Sequence, residues 1–184
     1  DLLVANVESL APAMALFPKA TNLLLSTKLY NSFSKKVIGY VDTPLLSVPT
    51  LKQQVKAQNH PKFELTKLSA LSEADRQKHL LIIQDPFTTF YDAGSVSALM
   101  RLVAKLGFTP VLVPFKPNGK AQHVKGFLNK FAKTARSAAD FLNKLQHLNI
   151  PMLGIDASLV LCYRDEYKQI LGEQRGDFKV LLAH

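Results

Sequence analysis

Residues 80–115 read LLIIQDPFTTFYDAGSVSALMRLVAKLGFTPVLVPF, and this stretch decides the fold. It begins with a continuous apolar run of strand length at residues 80–83 and ends with a similar run at residues 110–115. Between the runs, apolar residues recur at helical spacing: Val96, Leu99, Met100, Val103 and Leu106. Asp92 stands at the N-cap position of this helix and Gly107 at its C′ position. A strand, a helix and a strand in this order predict parallel strands joined by a helical crossover.

The same alternation continues toward the end of the sequence. A second helix and the third and fourth strands are predicted at residues 124–145, 151–155 and 178–183. Asp156 is the predicted N-cap of a further helix that ends near residue 171. We therefore expect residues 61–184 to form a three-layer α/β domain, with a mostly parallel sheet of about four strands and helices on both faces.

Residues 1–60 differ in character and predict a helical and extended linker arm. Four prolines interrupt this part of the chain: Pro12, Pro18, Pro44 and Pro49. Apolar residues at spacings of three and four predict a short helix over residues 3–14, and a second helix is expected over residues 20–34. Residues 37–48 are expected to be extended. A segment of this kind does not enclose a core of its own, so its apolar side must pack on another structure.

Composition excludes several classes of protein. Of the 184 residues, 47% are hydrophobic and 20% are charged, as in ordinary globular domains. The single cysteine, Cys162, excludes an internal disulfide framework, an iron–sulfur cluster or an all-cysteine zinc site built from this chain alone. The apolar runs are too short to span a bilayer, so no transmembrane segment is expected, and no secretory signal is recognisable.

The chain is basic, with 23 Lys and Arg against 14 Asp and Glu and a formal net charge of +9. The densest basic segment covers residues 116–136, which contain no acidic residue. No zinc-finger spacing, RNA-recognition signature or array of stacking aromatic residues accompanies it. We therefore predict no nucleic-acid partner and interpret the segment as a solvated helix face and a loop. Weak nucleic-acid binding through this helix is the third and least favoured interpretation.

One loop at the expected carboxyl edge of the sheet, where open α/β sheets usually bind ligands, is suggestive. Residues 116–123 read KPNGKAQH, follow a predicted strand and open a predicted helix. Lysines and backbone N–H groups at a helix start can hold a carboxylate or a phosphate. The candidate ligands for such an anion are Lys116, Asn118, Gly119, Lys120 and His123. A solvated turn with incidental lysines explains the same residues, and both interpretations stay open at this point.

We predict no catalytic residue and no metal ligand in the chain. The sequence holds neither of the glycine-rich phosphate-binding motifs, so no standard nucleotide site is expected. The five histidines do not pair at metal-ligand spacing. Cys162 lies among apolar and aromatic residues of a predicted helix, which favours a buried, unreactive thiol over a nucleophile.

Four stretches of the sequence resemble a known family. Residues 84–92, QDPFTTFYD, resemble the start of the cysteine-rich repeat of heterodisulfide-reductase-like subunits and of the iron–sulfur partners of glycolate and glycerol-3-phosphate dehydrogenases. Residues 113–127, VPFKPNGKAQHVKGF, and 161–167, LCYRDEY, are similar to large bacterial fused flavin and iron–sulfur dehydrogenases of the D-2-hydroxyglutarate dehydrogenase type. Residues 39–49, GYVDTPLLSVP, resemble the linker after the ferredoxin-like clusters of that family. The resemblance covers nearly the whole chain and implies an internal fragment.

In this family a functional cysteine-rich repeat holds its metal site through cysteines, and here the sequence departs from the pattern. The expected cysteine positions are occupied by Pro86, Pro117, Asn118 and Leu159. The resemblance therefore implies a Rossmann-like repeat that has kept the scaffold and lost the cluster. It also implies that FAD and 4Fe-4S clusters are carried by other parts of the parent protein, with no cofactor in this segment.

The resemblance favours a non-catalytic structural segment of an enzyme that oxidises a D-2-hydroxy acid, foremost D-2-hydroxyglutarate. The implied partners are the remaining domains of the parent polypeptide, and a homo-oligomer stays open. The parent is expected in the cytoplasm, where an electron acceptor could place it at the inner membrane. The alternative is a stand-alone α/β domain that binds a small anion at residues 116–123.

Overall fold

The computed structural model of the chain describes residues 6–33 and 44–183. Within them, four strands form one parallel sheet in the order β2-β1-β3-β4. The strands are β1 (His79–Ile83), β2 (Thr109–Leu112), β3 (Met152–Gly154) and β4 (Val180–Leu182). The predicted α/β class and the parallel sheet are confirmed. The strands are shorter than the apolar runs that predicted β2, β3 and β4, because the ends of those runs continue into the connecting loops.

Helices precede the sheet and connect its strands. Before β1 lie α1 (Val7–Met14), α2 (Pro18–Leu25), α3 (Lys28–Phe33), α4 (Leu51–Ala57), α5 (Leu65–Ser69) and α6 (Glu73–Arg76). Between β1 and β2 lie α7 (Pro86–Phe90) and α8 (Ala93–Lys105), and before β3 lie α9 (Lys120–Val124) and α10 (Leu128–Gln146). Before β4 lie α11 (Ala157–Arg164), α12 (Glu166–Leu171) and a 3-10 turn (Gly172–Arg175).

The side chains of β1 show that helices cover both faces of the sheet. Successive side chains of a strand point to opposite faces. Leu81 and Ile83 belong to one apolar cluster, which helices α10, α11 and α12 complete. Ile82 belongs to a second cluster with Leu51 of α4 and Met100 of α8. The chain leaves β1 toward β2 on one side and returns to β3 on the other, so right-handed crossovers place these helices on opposite faces. The predicted three-layer arrangement is confirmed.

Two of the predicted helix ends are confirmed. The Asp156 carboxylate accepts a hydrogen bond from the Leu159 N–H at 2.6 Å and caps α11. Gly107 follows α8 with a φ of +89°, the left-handed conformation that glycine adopts without steric cost. Both signals are local in sequence. The helix α11 begins at the carboxyl edge of the sheet, after β3, and α8 ends at the amino edge, before β2.

The predicted cap of α8 differs from the observed one. Asp92 stands before the helix, but its carboxylate accepts a hydrogen bond from the Ser95 hydroxyl and none from a backbone N–H. The first N–H of the helix, that of Ala93, donates to the Ser47 hydroxyl at 2.9 Å, 46 residues earlier in the chain. The Ser47 side chain of the arm therefore accepts a backbone hydrogen bond at the start of α8, the role predicted for Asp92.

The long helix predicted over residues 124–145 is divided, and its first apolar residue was placed wrongly. Gly126, with a φ of +76°, separates α9 from α10, because a left-handed residue cannot continue a right-handed helix. Val124 is 66% exposed and does not join the core stripe, which begins with Phe131.

Two other predicted helices are also divided. The helix expected after Asp156 stops at Arg164 and restarts at Glu166, and the offset brings the rings of Tyr163 and Tyr167 to a centroid distance of 5.0 Å. The helix expected over residues 20–34 is resolved into α2 and α3. The predictions for residues 3–5, 34 and 37–43 lie outside the described residues.

The described part of the arm packs on the α/β domain. Ala11 of α1 is fully buried, and Leu51 of α4 belongs to the second core cluster. Gln58, just after α4, donates to the Ser97 carbonyl of α8 at 3.1 Å. The predicted division of the chain at residue 60 stays a prediction.

Candidate functional site at the carboxyl edge of the sheet

The loop that joins β2 to α9 lies at the carboxyl edge of the sheet and is closed by its own hydrogen bonds. The side chain of Asn118, 1% exposed, accepts a hydrogen bond from the Lys120 N–H at 2.8 Å. The Asn118 carbonyl accepts one from the Tyr167 hydroxyl at 2.6 Å. Gly119 has a φ of +80°, and a Cβ at this position would lie 2.9 Å from Phe131 Cδ2. The turn therefore requires glycine.

A carboxylate from the arm enters this loop. Glu8 of α1 is 3% exposed, and its Oε2 accepts a hydrogen bond from the Gly119 N–H at 2.8 Å. Its Oε1 is buried without a hydrogen-bond partner. Burial raises the pKa of Glu8, and the nearby backbone N–H groups of Gly119 and Asn118 offset only part of that rise. The chain thus brings its own carboxyl group to the position where the sequence suggested an external anion.

A second carboxylate pairs with the lysine of the loop. The Lys120 ammonium forms a partly buried ion pair with Glu166 Oε1 of α12. Partial burial acts to raise the pKa of Glu166, but the hydrogen bond and charge of Lys120, with a backbone N–H, outweigh it and lower the pKa. His123 Nδ1 lies 4.0 Å from the same oxygen, and its ring packs on Phe131 with 4.9 Å between centroids.

Four of the five predicted anion ligands meet around these two carboxylates. They are Asn118, Gly119, Lys120 and His123. The fifth, Lys116, lies apart with its ammonium 6.0 Å from the centroid of the Phe141 ring. We call Glu8, Gly119, Lys120 and Glu166 the carboxylate cluster. An external anion would have to displace Glu8 or Glu166 from this cluster, and anion binding stays a prediction.

Sequence reasoning missed both acidic members of the carboxylate cluster. The Glu8–Gly119 hydrogen bond spans 111 residues and the Lys120–Glu166 pair spans 46, so neither appears in any local motif. The one local signal was a single acidic residue on the otherwise apolar helix α1. Such a residue is expensive to bury unless a donor meets it.

A small cavity lies beside Lys116. Its volume is about 10 Å³, and it lies between the end of β1, the loop after β2 and helix α10, with Val113 and Tyr163 in its wall. Such a space holds about one water molecule. A hydroxy acid does not fit there.

The residues at the expected cluster positions do not fit an iron–sulfur cluster. They are Pro86, Pro117, Asn118 and Leu159. Clusters of this kind are held by thiolates, and none of these side chains supplies one. Pro86 begins α7 behind the Asp85 cap, and Leu159 is buried in the core.

Cys162 does not replace the missing ligands. It lies in α11, fully buried, and burial raises the pKa of its thiol to about 12, with the charge of Glu166 adding to the rise. The thiolate is the form that binds metal or attacks an electrophile, and it is scarce at neutral pH under these conditions. In the described part of the chain, no group of three or more His, Cys, Asp or Glu side chains could hold a metal ion.

Two aspartates occupy the place where the strand order reverses, which is the usual ligand crevice of open α/β sheets. Asp85 follows β1 and accepts hydrogen bonds from the N–H groups of Phe87 and Thr88, both at 2.8 Å. Asp156 follows β3 and caps α11. Burial raises the pKa of Asp85, against the opposing hydrogen bonds from Thr88. Both carboxylates serve to begin helices, as N-cap residues do.

The fold and this edge define a class of structure: a parallel α/β unit whose carboxyl edge is closed by a helix from its own N-terminal arm. No family model matches the chain, and no solved structure was found to match it.

Among the helices of residues 6–33 and 44–183, none combines the length and apolar character needed to cross a bilayer.

Curated proteins named D-2-hydroxyglutarate dehydrogenase are similar to the chain over its whole length. The protein of Pantoea ananatis is 58% identical over 184 residues, that of Escherichia coli 55% and that of Haemophilus influenzae 47%. Each match covers 100% of this chain and 18% of the relative. The predicted resemblance to this type of protein is confirmed, and the chain spans 18% of the length of the curated relatives that it matches.

Proposed function

We propose that the chain is a structural segment of a larger dehydrogenase that oxidises a D-2-hydroxy acid, with D-2-hydroxyglutarate as the first candidate. The observation that carries the proposal is the identity of 47–58% over all 184 residues with three proteins of that name. The segment holds neighbouring parts of the enzyme in position and does not itself contact the reacting atoms.

The hydrogen bonding of the carboxyl edge supports a structural role. Donors of the kind that bind a substrate carboxylate are present in the loop after β2, but they already bind Glu8 and Glu166. The aspartates at the strand reversal begin α7 and α11. Polar groups that hold one another in this way stabilise a fold, whereas a binding site keeps donors available for its ligand.

The cofactors belong to other parts of the parent in this proposal. The family resemblance implies FAD and 4Fe-4S clusters, and the side chains at the former cluster positions do not fit a cluster. Electron transfer is therefore assigned to polypeptide outside these 184 residues.

The first test measures the native polypeptide. An immunoblot of cell extract with antibody against this chain should show a band several times larger than 20.4 kDa. The purified native protein should reduce an electron-accepting dye when D-2-hydroxyglutarate is added. A band near 20.4 kDa, or a large protein without this activity, would contradict the proposal.

A second test separates a structural role from a substrate-binding role. In the full-length protein, Lys120→Met should lower the melting temperature and leave KM within about twofold, because the lysine pairs with Glu166 and not with substrate. Lys116→Ala is the control for removal of a lysine from the same loop, since the Lys116 ammonium lies over the Phe141 ring and outside the carboxylate cluster. A rise in KM of more than about tenfold without loss of stability would place the loop in the substrate site instead.

A further inference from the structure

The arm has one side that is buried on the domain and another that is not. Glu8, Ala11, Leu25 and Leu46 are buried. Around the turn between α1 and α2 and along α2, four large apolar side chains are exposed to solvent instead: Leu16 by 73%, Phe17 by 74%, Leu23 by 72% and Leu24 by 61%. We call these four residues the arm stripe. Contiguous exposure of this kind marks interaction surfaces more often than ordinary surface.

The members of the arm stripe lie close together along the chain. Phe17 is the N-cap residue of α2, and Leu24 follows seven residues later on the same helix, so these two belong to one side of α2. Leu23 adjoins Leu24 on α2, and Leu16 adjoins Phe17 in the turn that precedes the helix. The four exposed side chains are therefore grouped on α2 and the turn before it.

The arm stripe rests on a well-ordered support. The Thr21 hydroxyl donates to the Met14 carbonyl at 3.1 Å and fixes the turn between α1 and α2. The Asn22 amide both donates to and accepts from the backbone of Leu46, each at 2.8 Å, and ties α2 to the segment before α4. The surface is consequently preorganised, which lowers the entropic cost of docking.

We propose that the arm stripe packs against another part of the same long polypeptide, and that this part presents an apolar surface with acidic residues at its rim. The inference rests on the proposed function, in which the chain is one segment of a larger dehydrogenase. The acidic rim follows from charge: within residues 6–33 the charged side chains are Glu8, which is buried, and Lys19 and Lys28, which are exposed. Complementary charges favour the correct orientation of two surfaces.

A covalently linked partner explains the arm stripe better than a second copy of the chain. Four side chains form a small surface, whereas a stable interface between separate proteins buries about 1,200–2,000 Å² in total. Tethering supplies an effective concentration of the order of millimolar, so that a smaller contact is sufficient. In a two-fold dimer through the stripe, Lys19 and Lys28 would also meet like charges.

Photo-crosslinking in the full-length protein tests this inference. Placing p-benzoylphenylalanine at position 17, in place of Phe17, keeps an aromatic side chain and should preserve the fold. After irradiation, mass spectrometry should find crosslinks to peptides of the same polypeptide outside the 184 residues. The same substitution at Phe108, 41% exposed and located between α8 and β2, is the matched control and should give a much lower yield.

The possible results separate this inference from the proposed function. Crosslinks to a second copy, crosslinks confined to the 184 residues, or equal yields at positions 17 and 108 would overturn the inference. Oxidation of D-2-hydroxyglutarate by the same preparation tests the proposed function independently, because neither position lies in the carboxylate cluster. Active protein without the expected crosslink would leave the proposed function standing and remove the docking surface alone.

A charge substitution gives a second measurement. The pair Phe17→Asp and Leu24→Asp should lower the melting temperature of the full-length protein by several degrees, because it places two charges in an apolar interface. The control pair Leu65→Asp and Leu161→Asp changes exposed leucines on two different helices, α5 and α11, and should have little effect. Equal shifts for the two pairs would contradict the inference.

Discussion

Glu8 and Gly119 are joined by a hydrogen bond of 2.8 Å although 111 residues separate them in the sequence. The bond ties α1 to the loop after β2, one helical turn from Ala11, which is fully buried. It fixes the arm on the carboxyl edge of the sheet, and so it joins two parts of the chain that differ in composition and local structure.

Removal of the Glu8 carboxyl group should destabilise the protein. Glu8→Ala leaves the Gly119 N–H buried without its acceptor, which costs about 1–3 kcal/mol in the free energy of unfolding. Glu8→Gln is the matched control, because its amide oxygen can still accept from that N–H. Urea denaturation of both variants measures the difference. An equal loss of stability in the two variants would show that the hydrogen bond is not the cause.

The same carboxyl group should make stability depend on pH. Burial raises the pKa of Glu8 in the folded state, so its favourable contribution is present below the unfolded value of 4.5 and is lost as pH rises through the folded pKa. The wild type should therefore lose stability relative to Glu8→Gln as the pH rises above 4.5 and through the raised pKa of the folded state. Melting temperatures of both proteins across this range provide the test. A constant difference, or one of opposite sign, would contradict the burial argument.

The Lys120–Glu166 pair should show the opposite pH dependence. The pKa of Glu166 is lowered in the folded state, so its contribution is present above the unfolded value of 4.5 and is lost as pH falls through the folded pKa. A double-mutant cycle with Lys120→Met and Glu166→Gln should give a coupling energy of roughly 0.5–3 kcal/mol at pH 7. The coupling should decline at acidic pH, and a coupling that persists there would argue against an ion pair.

Gly119 should tolerate substitution less well than Gly126. Both glycines have positive φ, so Gly126→Ala should cost about 1–2 kcal/mol for the left-handed conformation alone. A Cβ at Gly119 also meets Phe131 at 2.9 Å, whereas a Cβ at Gly126 has nothing within 4 Å. Gly119→Ala should therefore lose roughly 1–3 kcal/mol more. Equal losses measured by urea denaturation would mean that the loop can move away from Phe131.

Cys162 should be unreactive in the folded protein. A thiol pKa of about 12 leaves very little thiolate at pH 8, and the side chain is also fully buried. Iodoacetamide should label it only after denaturant is added, as mass spectrometry of the intact chain can show. Rapid labelling without denaturant would mean that α11 opens, and it would reopen the question of a reactive cysteine.

The order of strands and helices could be predicted because its signals are local. Continuous apolar runs mark β1 and the later strands, and Gly107 and Asp156 mark helix ends within a few residues of the predicted positions. The division of the long helix was not predicted. An isolated glycine is tolerated inside a helical pattern, so the sequence alone does not show that Gly126 ends α9. Its positive φ is a property of the folded turn between α9 and α10.

The carboxylate cluster could be predicted in part. Asn118, Gly119 and Lys120 were recognised because a Pro- and Gly-containing loop after a strand is a local pattern. Glu8 and Glu166 come from distant elements, and their positions depend on how α1 and α12 pack against the sheet edge. Contacts of this kind arise from tertiary structure, which a single sequence does not display.

The hydrogen bond from Ala93 to Ser47 has a consequence for how this gene can change. A recombination event with its breakpoint at residue 60 would separate Ala93 from Ser47 and Met100 from Leu51, leaving a donor and an apolar surface without their partners. Such a recombinant is expected to be less stable than the parent, which favours joint inheritance of the arm and the domain. Position 47 should keep a side chain that accepts a hydrogen bond, because the donor at position 93 is a backbone N–H, and substitutions at Leu51 and Met100 are expected to accumulate in concert.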